Sequence, residues 1–110
     1  MAVEGLDAAK EAEAAEGPAV SGLSPNFPNP FNSSTQIAYR LAAPGPVRLQ
    51  ICNALGQPVR TLVDRFQAAG AYRVSWDARD QRGAAVAAGV YLARLHHPGG
   101  VQTRRLLHLK

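Results

Sequence analysis

Ile37, Tyr39 and Leu41 alternate with Gln36, Ala38 and Arg40, the period-two pattern of a strand with one buried face. Pro44-Gly45-Pro46 breaks the run, and Val47, Leu49 and Ile51 resume it around Arg48 and Gln50. Asn53-Ala54-Leu55-Gly56 reads as a turn in which Gly56 takes a positive φ. Val59 to Val63 is the next strand, and its imperfect alternation predicts a bulge. Ala69-Gly70 turns tightly into Tyr72, Val74 and Trp76. Asp77 to Ala88 forms the longest loop, in which Asp77, Asp80 and Gly83 shape a turn. Gly89 opens a strand from Val90 to His96 that carries Tyr91. Pro98-Gly99-Gly100 turns the chain once more, and Val101–Leu109 closes it. A further short strand near 20–24 brings the number to about seven. Short strands at this spacing predict an all-β, antiparallel, immunoglobulin-like sandwich. Trp76 is its central plug, packed with Tyr39, Tyr72, Tyr91 and the inward aliphatics.

The first 22 residues break this pattern. The stretch from Gly5 to Gly17 is rich in Ala and Glu and has almost no apolar face. It predicts a marginal helix or a flexible acidic linker over 1–22, stopped by Gly17-Pro18, ahead of a domain over 23–110. Charge divides at the same place. Five acids against Lys10 leave the linker at −4, whereas ten Arg and Lys110 against Asp64, Asp77 and Asp80 bring the domain to +8. A basic domain suggests an anionic partner. Arg40, Arg48, Arg60 and Arg73, however, fall at the water-facing positions of strands. The arginines are spread over many strands and form no reading helix, so nucleic acid is not expected.

Candidate chemistry narrows the picture mainly by exclusion. Cys52 is the only cysteine, so no intrachain disulfide can form. Alternation places it opposite Val47, Leu49 and Ile51 as a small half-buried residue. His96 and His97 are adjacent and point to opposite faces of a strand. His108, the third histidine, has no acid or cysteine at metal spacing. Asp77 and Asp80 lack the further acids of a self-sufficient calcium loop. No nucleophile elbow, phosphate loop or pair of catalytic carboxylates is present. The expectation is a monomeric, non-enzymatic domain without cofactor or metal, with no segment that inserts in a membrane.

The most specific stretch is Asn26-Phe27-Pro28-Asn29-Pro30-Phe31-Asn32. Its prolines preclude a helix and bias the preceding residues to extended geometry. It predicts a stiff entry loop with Phe27 and Phe31 both buried at one end of the sandwich. It is followed in order by NALGQPVRTL, by the W-D-x-R-D-x-x-G turn from Trp76 and Asp77, by GVYLARL from Gly89 and by a basic-apolar strand ending in Lys110. Together these motifs resemble the type A C-terminal sorting domain of the type IX secretion system of Bacteroidetes-like bacteria. They are also similar to the immunoglobulin-like module of flagellar hook-capping proteins. The resemblance covers roughly 24–110. It marks Asn29, Pro30, Phe31, Asn32, Gly56, Trp76, Asp77, Gly89 and Tyr91 as structural motif positions.

The sorting-domain resemblance implies an address label for a cargo domain preceding it in a longer parent chain. The label would be recognised in the periplasm by an outer-membrane translocon and removed by a sortase-like surface peptidase, with the cargo released or held at the cell surface. Recognition would fall on the last strand, through Arg104, Arg105, Leu106, Leu107 and Lys110. His108 stands where an apolar residue is expected. A structural scaffold module and a carbohydrate-binding module are the alternatives, the second requiring several exposed aromatics on one face.

Overall fold

The computed structural model describes residues 20–109, so the acidic segment over 1–19 and Lys110 lie outside the described residues. Seven strands follow one another: β1 (Gly22–Leu23), β2 (Thr35–Leu41), β3 (Gly45–Asn53), β4 (Pro58–Gln67), β5 (Gly70–Trp76), β6 (Gly89–His97) and β7 (Gly100–His108). They form two antiparallel sheets, ordered β1-β2-β5 and β4-β3-β6-β7. No helix occurs among the described residues. The immunoglobulin-like sandwich expected from alternation is what the chain forms.

The inward faces are those the pattern marked. Ile37, Tyr39, Leu41, Val47, Leu49, Ile51, Leu95 and Trp76 are buried between the sheets. Gly56 turns the chain at φ 85° and Gly83 at φ 89°, where a side chain would be strained. The bulge expected in the fourth strand is double. Leu49 pairs with Val63 and Gln50 with Thr61, which leaves Leu62 without a partner; Val59 is passed over in the same way between Arg60 and Pro58.

The structure corrects the reading of Cys52. It is fully buried rather than half-buried. It sits in β3, which is flanked by β4 and β6, and the register shifts between Ile51 and Cys52. The extra residues lie in β4, and β3 keeps its register with β6, so Cys52 remains on the face opposite Ile51 and is enclosed there between the strands that carry Pro58 and Leu92.

The two phenylalanines of the entry loop also part company. Phe31 is buried, but Phe27 is 78% exposed. The backbone of Phe27 pairs with Gln36, N–H to O at 2.9 Å and the reverse at 2.8 Å. That keeps Phe27 beside the smaller sheet with its ring in solvent. By Phe31 the chain has crossed to the larger sheet, where it bridges His108 in parallel. Residues directly opposite in an antiparallel pair share a face, and Gln36 is on the exposed face of β2, so Phe27 points outward with it. Buried Asn26 and Thr35 brace the crossing: Asn26 Nδ2 donates to Thr35 Oγ1 at 2.9 Å, and Thr35 Oγ1 to the Pro28 carbonyl at 2.8 Å.

Candidate functional site

Among the described strands, β7 is the outermost of the larger sheet and has β6 as its one strand neighbour. In an antiparallel ladder the backbone groups of alternate residues point to the partner, and the rest point away. In β7 the odd-numbered residues point away. An edge of this kind attracts strands from other chains unless it is covered.

The entry loop covers its C-terminal half. Asn29 Oδ1 accepts from the Leu107 N–H at 2.9 Å, and Asn29 Nδ2 reaches the Arg105 carbonyl at 3.5 Å. The Phe31 N–H donates to the Leu107 carbonyl at 3.0 Å, and the Leu109 N–H donates to Phe31 O at 2.7 Å. One amide side chain thus stands in for a peptide unit, and one backbone residue continues as a short parallel strand. The Phe31 ring enters the end of the sandwich. It meets Trp76 edge-on at 5.8 Å and stacks on His108 at 5.0 Å. Trp76 in turn meets Tyr91 at 5.4 Å, a favourable tilted geometry. Trp76 Nε1 donates to the Arg79 carbonyl at 2.9 Å and the Tyr91 hydroxyl to the Ala87 carbonyl at 2.6 Å, so both polar ends are satisfied. His108 faces the core as an aromatic, which explains how a histidine occupies an inward position.

The N-terminal half of β7 works in the opposite sense. Gln102 Oε1 accepts from the Leu23 N–H at 2.6 Å, and Arg104 Nε donates to the Leu23 carbonyl at 2.8 Å. These two side chains satisfy both outward backbone groups of Leu23 in β1. They form a seam between the two sheets.

The residues expected to meet a partner are therefore distributed over three settings. Leu106 is in the core, at 1% exposed. Arg104 is engaged in the seam. Arg105 and Leu107 are exposed on the outer face, where Leu107 lies opposite the exposed Val90. Lys110 lies outside the described residues. Pro30 and Asn32 flank Phe31 at the surface, and Gly89 sits opposite His108.

The outer face of the larger sheet is basic. The register aligns Arg48 with His96, Arg94 with Thr103, and Leu92 with Arg105. Burial, followed by the charges of Arg48 and Arg94, holds the His96 imidazole below its ordinary value. In the long loop Asp77 pairs with Arg60 at 3.3 Å. Asp80 Oδ1 accepts from the Arg82 and Ala84 N–H groups at 3.0 and 2.9 Å, the turn role its spacing suggested. The sequence reading missed Asn26, Thr35, Gln102 and the edge-covering role of Asn29. The only local signal was polar residues at positions where a core or a free edge needs hydrogen bonds.

Known structures share this architecture. The chain is similar to a region of PorZ, described as an essential bacterial surface component of the type-IX secretion system of Porphyromonas gingivalis. The TM-score is 0.54 at 19% identity, over 82% of this chain and 11% of PorZ. It is similar to latent, dimeric PorU of the same organism, with TM-score 0.61 and 20% identity over 89% of this chain and 10% of PorU. FlgD of Xanthomonas campestris, described with the hook capping essential for flagellar assembly, matches with TM-score 0.51 and 26% identity over 79% of this chain and 65% of FlgD. The chain thus spans only about a tenth of the two Porphyromonas proteins. No curated protein matches it. Residues 26–97, from the entry loop to the end of β6, match the FlgD Ig-like domain, and the chain belongs to that family.

Proposed function

We propose that the domain is a non-catalytic sorting module that directs an exported cargo across the outer membrane through type IX machinery. The observation that carries this reading is the division of labour in β7. Its inner residues and the entry loop build the fold, while Arg105 and Leu107 stand on an outer face beside Arg94 and Val90. A receptor can read that face without opening the core. The likeness to segments of PorZ and PorU supports the same direction. In this reading the translocon and a surface peptidase are the partners, and the destination is the cell surface or medium.

The test places the whole chain behind a periplasmic reporter in a host with type IX secretion. The parent fusion is expected outside the cell, and Arg105→Gln with Leu107→Ser is expected to retain it in the periplasm. Arg104 is left intact because its seam contact would confound folding with recognition. Export of the folded double variant at the parent level would sink the reading.

A structural scaffold module is the second reading, favoured by family membership and by the likeness to FlgD. It expects no export of the reporter by either fusion. The carbohydrate reading has less support. The exposed phenylalanines, Phe27 and Phe66, belong to different sheets and build no common platform.

A further inference from the structure

We propose that the outer edge of β7 between Val101 and Arg105 receives an extended acidic peptide segment, which adds a strand to the larger sheet. The entry loop stops at Arg105, whose carbonyl it reaches only at 3.5 Å. Beyond it, the N–H and C=O of Val101 and Thr103 and the N–H of Arg105 point away from β6. Among the described residues, none of them has a backbone partner. Five backbone groups in a row are the template for strand addition, in which main-chain bonds supply affinity and side chains supply selectivity.

The charge beside this edge determines what it accepts. Side chains of an added strand would alternate, and those on the outer face would lie opposite Thr103 and Arg105. A carboxylate opposite Arg105 meets its guanidinium directly. One opposite Thr103 reaches over a small side chain toward Arg94, which the register places behind it. Arg48, one strand further in, lies opposite Asp64, so the positive field beside the edge rests on Arg94 and Arg105. A second copy is the poorer occupant, because two domains each carrying +8 would be brought edge to edge. Partial covering thus leaves one short, positively framed opening.

This inference stands apart from the sorting reading, since it is tested by binding in solution and not by export. The probe is a capped seven-residue peptide of alternating glutamate and valine, titrated into the full 110-residue chain and followed by amide NMR. Protection of the Thr103 and Arg105 amides on binding is expected. Thr103→Pro removes one outward N–H at an edge position that tolerates proline, and should weaken binding about tenfold with the fold intact. Arg105→Gln should weaken it less and reduce its salt dependence. The idea is overturned if a version of the peptide methylated on alternate amides binds as well, since no strand would then be forming. Equal binding of a lysine-valine peptide, or of glutamate peptide to Thr103→Pro, overturns it too. Protection of the same amides that grows with protein concentration alone, with a dimer in sedimentation, would assign the edge to a second copy instead.

Discussion

The two halves of β7 belong to one strand, yet the rest of the molecule uses them in opposite ways. From Arg105 to Leu109 the edge receives hydrogen bonds from Asn29 and Phe31, and His108 packs among aromatic rings. From Gly100 to the N–H of Arg105 the edge receives no backbone bond from the described residues, and its side chains Gln102 and Arg104 reach out to cap Leu23. The held half is structural; the other gives its side chains to β1 and, among the described residues, keeps its outward backbone groups without a backbone partner. The difference teaches that an edge can be protected selectively. A fully covered edge could not add a strand, and a fully bare one would invite indiscriminate pairing.

The largest test of this contrast removes the anchor of the held half. Phe31→Ala should destabilise the domain by about 3–5 kcal/mol, the range for a buried ring. Phe27→Ala should stay within about 0.5 kcal/mol, as for an ordinary surface site. Denaturant midpoints of the two variants compare them directly. A Phe31 loss under about 1 kcal/mol would mean that the loop is held by its backbone alone.

Asn29→Ala separates ring from edge cover. It leaves the Leu107 N–H without its protein partner but spares Phe31, so the expected loss is about 1 kcal/mol. Hydrogen exchange should quicken at Leu107 while Thr103, already uncovered, keeps its rate. If both amides respond equally, the two halves of the edge are one cooperative unit and the contrast is lost.

The smallest effect is electrostatic and concerns the outer face. Burial and the neighbouring Arg48 and Arg94 lower the His96 pKa from its ordinary 6.5. The fold therefore favours neutral imidazole, and the unfolded chain takes up the proton first. Stability should be fully present above that value and decline as pH falls below it toward the lowered value in the fold. His96→Gln should flatten this segment of a stability–pH profile. A profile unchanged by the substitution would show that the arginines do not press on His96 in solution. At the alkaline end, burial raises the Tyr39 phenol, whose hydroxyl donates to Gln67 Oε1 at 2.6 Å.

Much of this fold was legible locally. Ile37, Tyr39 and Leu41 face inward because strand side chains alternate, and Gly56 turns the chain because glycine accepts a positive φ. Cys52 escaped because alternation tells which face a residue takes but not how far its neighbours in β4 and β6 cover that face. Phe27 escaped because its facing is set by the pairing with the outward Gln36, a partner nine positions away that the alternation of the loop does not reveal. Arg104 and Arg105 are neighbours of identical chemistry, yet strand geometry turns the first toward Leu23 and the second toward solvent.

The sequence by itself determined the number of strands, their inward faces, the turns and the separation of an acidic segment from a basic domain. Each follows from interactions among residues a few positions apart. Only the tertiary structure decided which edge is covered and by what. Asn29 meets Leu107 across 78 positions and Arg104 meets Leu23 across 81. No local propensity encodes such a meeting. It exists because two sheets, each formed on its own pattern, stack with one relative placement that buries Phe31 and Trp76 together, and that placement brings the loop to β7.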